Sequence, residues 1–108
     1  MTLKLPETLR IGSVDYDVAY QRGLTSGDTL LGQINYGQCK IRIEESLPTS
    51  RAREVLAHEL AHGILFEAGY LDHDEEQANR LGKVLAMLLR DNDFTFMRGG
   101  LIKCTSNA

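Results

Sequence analysis

A chain of 108 residues with 43% hydrophobic and 25% charged side chains and only two prolines is too apolar to stay unfolded, and its size suits one core without a second catalytic module. Its formal net charge of -3 argues against a protein built to grip phosphate backbones, which takes clustered lysine and arginine, so no nucleic-acid partner is expected. Apolar runs fall far short of the roughly 20 residues of a bilayer span, the start Met1-Thr2-Leu3-Lys4-Leu5-Pro6-Glu7 has no signal-peptide core, and Cys39 and Cys104 lack CxxC spacing; the expectation is one cytoplasmic domain over 1–108, without a membrane segment and with reduced thiols.

In chain order, Leu9 to Tyr20 mixes β-branched and aromatic residues with turn formers and predicts a bent strand or a small hairpin around Gly12-Ser13. Arg22 to Thr29 is rich in Gly, Ser, Thr and Asp and predicts a loop. Two short strands follow, Leu30 to Tyr36 and Gln38 to Glu44; in the second, Cys39, Ile41 and Ile43 alternate with Lys40, Arg42 and Glu44, the pattern of a half-buried strand. Pro48-Thr49-Ser50 closes the strand region and offers a hydroxyl as helix cap. A first long helix runs from Ser50 to about Ala68, apolar on nearly every face as expected of a covered helix, and Gly69 is placed to end it in a left-handed conformation. A second runs from about Asp74 to Asp91, with Ala78, Leu81, Leu85, Leu88 and Leu89 as its inward stripe. Phe94-Thr95-Phe96 is taken as a short strand, and the tail from about 99 as frayed.

The chemistry lies in His58-Glu59-Leu60-Ala61-His62, an HExxH string in the middle of the first helix. Residues four apart stand one above the other on one helix face, so the two imidazoles can take adjacent corners of a tetrahedral zinc site. Glu59 sits about 100° round from His58 and about 60° from His62, beside the metal without ligating it, where a general base for zinc-activated water belongs. The bland reading is a pair of structural histidines beside a surface glutamate. Against it stands the apolar helix around them, because burying three titratable groups without a partner costs several kcal/mol.

A catalytic zinc needs a third protein ligand and keeps its fourth position for water. The candidates are Asp72, His73, Asp74, Glu75 and Glu76. Measured from Ala78 at the centre of the inward stripe, Glu75 falls about 60° away and Glu76 about 160° away, so Glu75 faces inward and Glu76 faces water. A rival role exists for Glu75, since Asp72 three residues earlier makes a capping-box pattern with it. His73 remains the runner-up ligand. Oxyanion donors could come from Tyr70, His73 or Tyr36, and Gly63 and Gly82, one on each helix, suit close packing of the two helices.

The stretch VLAHELAHGILFEAGY followed by DEEQANRLGKVLAMLL resembles the minimal zincin metallopeptidases, in particular small phage-encoded proteins related to the ImmA/IrrE group. The resemblance covers about Gln38 to Leu89. It implies a sheet followed by the HExxH helix and a second helix bearing a glutamate ligand: zinc at His58, His62 and Glu75, Glu59 as base, and Asn79 behind a ligand imidazole, holding its orientation. Two departures stand out. Only twelve residues separate His62 from Glu75, fewer than in large gluzincins, and the metzincin pattern would need Gly at Leu65 and His at Ala68. Substrate in such enzymes commonly adds as a strand along a sheet edge, for which Gln38 to Glu44 is the expected candidate.

The reading is therefore an α+β fold, a small mostly antiparallel sheet of three to four strands covered by two long helices. Its expected function is a zinc-dependent metallopeptidase, a cytoplasmic hydrolase acting on a protein or peptide, with a regulatory protein as a candidate target. The alternative is a non-catalytic zinc-binding protein-interaction module of phage origin. Oligomeric state and cleavage specificity are not legible.

Overall fold

The computed structural model describes residues 5–24 and 31–98. Much of the predicted loop at 22–29 and the whole of the predicted frayed tail, with Cys104, lie outside these residues.

The first hairpin forms where expected. Strands β1 (Thr8–Ile11) and β2 (Val14–Gln21) pair antiparallel across Gly12-Ser13, with Gly12 at φ +65°, a conformation glycine reaches without a Cβ clash. The second hairpin joins β3 (Gly32–Asn35) to β4 (Lys40–Glu44). Its turn takes in Gln38 and places Cys39 at φ 53°, so β4 begins two residues later than the strand expected from Gln38. Inside the turn the Asn35 side chain accepts from the Gln38 amide at 2.9 Å.

The four strands lie in the order β1-β2-β4-β3, with β2 and β4 parallel and the other pairings antiparallel. An α+β fold with a mixed sheet results. This order overturns one expectation: the strand at Gln38 to Glu44 is internal, and β3 is the edge. The hairpin folds β3 outward, so Lys40 and Arg42 are half-buried between neighbours instead of guarding an edge. Glu44 also breaks the alternation. It is buried at the end of β4 and accepts from the Leu24 amide at 2.8 Å and the Ser46 hydroxyl at 2.9 Å, which ties two loops to the sheet.

Helix α1 (Thr49–Glu67) begins after Pro48 without a side-chain cap; Thr49 and Ser50 sit inside its first turn, so the predicted hydroxyl cap does not form. Its other end matches expectation. Gly69 takes φ +106°, its amide bonds to the Phe66 carbonyl at 3.0 Å, and the Tyr70 amide bonds to the Leu65 carbonyl at 2.8 Å, the two bonds of a Schellman cap. Ala52 and Leu56 of α1 close over Ile11, Tyr16, Val18, Ile41 and Ile43 from the sheet. The buried Tyr16 hydroxyl donates to Glu67 Oε2 at 2.8 Å and pins the last turn of α1 to β2.

Helix α2 (Glu75–Asp91) packs on α1 and, among the described residues, not on the sheet. Its stripe is only partly covered: Ala78 is buried, whereas Leu88 and Leu89 are 46% and 49% exposed. Gly82 meets α1 at its backbone; a Cβ there would lie 3.1 Å from His58 Cα. Gly63 does something other than expected. Its missing side chain makes room for Ile11 and Ile34, so the close approach it permits is of α1 to the sheet, while Gly82 serves the contact between the helices. After α2 the predicted strand at Phe94-Thr95-Phe96 is instead a single 3-10 turn over Thr95–Met97, nucleated by Asp93, which accepts from the Thr95 amide at 2.9 Å. Among the described residues no helix is long and apolar enough to cross a membrane.

Candidate metal centre

HExxH lies within α1, and its two histidines stand on one face with ring centroids 4.9 Å apart. Glu75, the first residue of α2, meets both: His58 Nε2 lies 2.6 Å from its Oε2 and His62 Nε2 lies 3.1 Å from its Oε1. Local chemistry frees Glu75 for this contact. The capping box of α2 is built by Asp74 and Gln77, one accepting from the Gln77 amide at 2.8 Å and the other from the Asp74 amide at 2.9 Å. The rival Asp72–Glu75 box does not form, the box lying two residues further on, and Glu75 is not spent on a backbone amide. Glu76 points outward, where it pairs with Arg80 at 2.7 Å, as the helical angle predicted.

Ligand atoms from His58, His62 and Glu75 all lie within 4.8 Å of one another. Two nitrogens and a carboxylate oxygen are the donor set of a His2Glu site, and atoms bound 2.0–2.1 Å from a tetrahedral ion would be about 3.3 Å apart. The three residues fit a divalent ion. The hydrogen bonds behind His62 strengthen the fit, because they decide which nitrogen is bare. His73 Nδ1 is 2.6 Å from the Tyr70 carbonyl, and His73 Nε2 is 2.9 Å from His62 Nδ1. A carbonyl only accepts, so His73 Nδ1 carries the proton; in the neutral ring its Nε2 then accepts from His62 Nδ1–H, and His62 Nε2 is left with a lone pair aimed at the Glu75 carboxylate. Two acceptors facing each other call for a cation between them.

Glu59 lies on the sheet side of α1 and is 7% exposed. Burial lifts its carboxyl to about 7, with His58 opposing the shift and Glu75 adding to it. His62 is held below the ordinary histidine value, first by burial and then through His58 and His73, against the pull of Glu75. The space beside Glu59 comes from Gly32 of the edge strand, where a Cβ would lie 3.3 Å from Glu59 Oε2 and 2.6 Å from Val55 Cγ1. Gly32 escaped the sequence reading, though a glycine inside a strand pattern is the signal of a close approach. Gly32→Ala is expected to lose about 1–3 kcal/mol, since the stiff Val55 side chain cannot yield cheaply; a lowered melting temperature with unchanged metal stoichiometry would show it.

The family model described as IrrE N-terminal-like domain, Peptidase M78, matches residues 18–94. The chain belongs to this family. No curated protein and no solved structure matches it. In this M78 chain the family match runs from the middle of β2 through α2, so it takes in β3, β4 and part of β2 as well as the two helices that carry the resemblance, and leaves β1 outside.

The remaining predicted residues scatter. Asn79 is exposed one turn beyond Glu75, beside His58 in the groove between the helices, and makes no hydrogen bond among the described residues. Tyr70 contributes its carbonyl and is 63% exposed as a residue. Tyr36 stacks on Phe66 at 4.1 Å between ring centroids, which brings its hydroxyl 3.3 Å from His73 Nε2. Burial pushes the Tyr36 hydroxyl's pKa up, and Glu59 and Glu75 push the same way, so the phenol keeps its proton beside both carboxylates.

Proposed function

We propose that this chain is a zinc-dependent metallopeptidase that hydrolyses a peptide bond in a protein or peptide. The observation that carries the reading is the convergence of His58 Nε2, His62 Nε2 and the Glu75 carboxylate, with Glu59 one residue on in the same helix. His58, His62 and Glu75 would hold a divalent ion, which would supply the charge that acidifies water and polarises the scissile carbonyl. Glu59 takes a proton from the attacking water and returns it to the leaving amine. Its place against edge strand β3 suits an extended substrate added alongside Gly32–Asn35, within reach of the carboxylate. Tyr36 is the best-supported oxyanion donor, because its hydroxyl stays protonated near both carboxylates. A regulatory protein is the proposed target class, on the strength of the ImmA/IrrE resemblance.

The rival, a metal module without turnover, would require a fourth protein ligand. His73, the residue best placed by sequence to supply it, instead faces the opposite nitrogen of His62. The deciding experiment loads the purified protein with one equivalent of zinc, incubates it with a degenerate peptide mixture and reads new amino termini by mass spectrometry. Cleavage that disappears with chelator and returns with zinc supports the peptidase. Tight zinc binding without cleavage would leave the non-catalytic module, and absence of zinc binding would remove both.

A further inference from the structure

We propose that His73 is a positioning residue for the metal centre: it fixes the tautomer and ring orientation of His62, so that Nε2 and not Nδ1 is offered to the metal. The inference rests on the reading of His58, His62 and Glu75 as ligands and deepens it.

The placement begins with the end of α1. The left-handed Gly69 stops the helix, and the chain turns at residues 71–72, which carries His73 back against the helix it has just left. Both nitrogens of His73 are then committed. Nδ1 donates to the Tyr70 carbonyl at 2.6 Å, a contact within its own loop that leaves no choice of tautomer, because a carbonyl has no proton to give. In a neutral His73 ring Nε2 is then the acceptor, and it receives His62 Nδ1–H at 2.9 Å, with the Tyr36 hydroxyl as a second, longer contact at 3.3 Å. Held from that side, the His62 ring has one free nitrogen, on the edge facing Glu75. The neighbouring rings restrict its rotation further, with the centroid of His73 at 5.0 Å and that of His58 at 4.9 Å. Partners behind a ligating imidazole raise its basicity and fix its orientation, and losing one typically lowers metal affinity about 10–100-fold. A carboxylate or backbone carbonyl usually fills that role; here a second imidazole does, itself set by a carbonyl. His58 has no such partner among the described residues.

The test uses zinc alone as probe, with affinity measured against a competing chelator on the intact chain. His73→Ala should bind zinc about 10–100-fold more weakly than wild type, with its helical circular dichroism unchanged. His73→Gln, whose amide oxygen can occupy the position of Nε2 and accept from His62, should restore most of the loss. The signature that a merely structural role would not move is the ring tautomer: in the zinc-loaded wild type, long-range nitrogen–proton NMR correlations should show His62 protonated at Nδ1, and in His73→Ala the Nδ1 proton should exchange faster with water. Wild-type affinity in His73→Ala, equal impairment of the Ala and Gln variants, or His62 found protonated at Nε2 would each overturn the inference while leaving the metal centre intact. Failure of the wild type to bind zinc would instead overturn the reading beneath it.

Discussion

Glu75→Ala is expected to lower zinc affinity by at least about 100-fold, beyond the loss that follows when only a residue supporting a ligand is removed, whereas Glu76→Ala should leave it unchanged. The two residues are adjacent, carry the same charge and share the first turn of α2, so net charge and the helix dipole cannot separate them. Direction does. Glu75 reaches back to His58 and His62, and Glu76 reaches forward to Arg80. At a fixed zinc concentration well above Kd, a 100-fold loss removes about 2.7 kcal/mol of metal-linked stabilisation, which a thermal melt with and without zinc resolves. In chelator the contrast should collapse: the Glu75 side chain is largely exposed, so its contacts to the histidines contribute about 0–1 kcal/mol without an ion, comparable to the Glu76–Arg80 pair. Equal zinc-dependent stabilisation of the two variants would move the third ligand elsewhere. His58→Ala and His62→Ala should match Glu75→Ala in zinc affinity, because each removes one of the three donors.

Much of this was readable from local order. Two histidines four apart share a helix face whatever surrounds them, and the angle between Glu75 and Glu76 follows from 100° per residue, so the grouping of His58, His62 and Glu75 needed no tertiary information beyond the meeting of the two helices. Gly12-Ser13 and Gly69 likewise act within their own neighbourhoods. What escaped depends on non-local partners. Nothing in Gln38 to Glu44 records that β3 would fold outside it and take the edge. Glu44 looked solvent-facing by alternation and is buried because loops from elsewhere bring it donors. Leu88 and Leu89 obey the helical stripe yet stay about half exposed, because a stripe does not record how much of it a neighbour will cover. His73 is the instructive case. As a loop histidine it could have been ligand, donor or surface residue, and only the left-handed exit at Gly69 and the turn after it bring its ring behind His62.

Glu59→Gln should abolish hydrolysis, by about 10²–10⁴-fold if the loss is that of a general base, while leaving zinc binding intact, because Glu59 is not among the grouped donors. It should also change how stability responds to pH. In the metal-free folded chain burial holds the Glu59 carboxyl at about 7, against the ordinary value of 4.5 that stands for the unfolded chain. Between those values the folded state binds the extra proton, so this group's contribution is fully present below about pH 4.5 and is lost as pH rises through 7, a decline of about 3 kcal/mol. His62 acts in the opposite sense: its folded value is depressed, so the unfolded chain binds the extra proton just below 6.5 and stability rises with pH there. Both proteins carry His62, so the difference between them isolates Glu59. In chelator, denaturant melts of Glu59→Gln and wild type should nearly coincide at pH 4.5 after correction for the amide's own burial, and the variant should be the more stable by about 2–3 kcal/mol at pH 8, where wild type must hold a buried carboxylate. A Glu59→Gln protein that binds zinc and shows this gain, yet cleaves peptides at the wild-type rate, would take Glu59 out of the chemistry. A variant with the pH dependence of wild type would show the carboxylate to be solvated, and with it the sheltered position beside Gly32 that makes it a credible base would be lost.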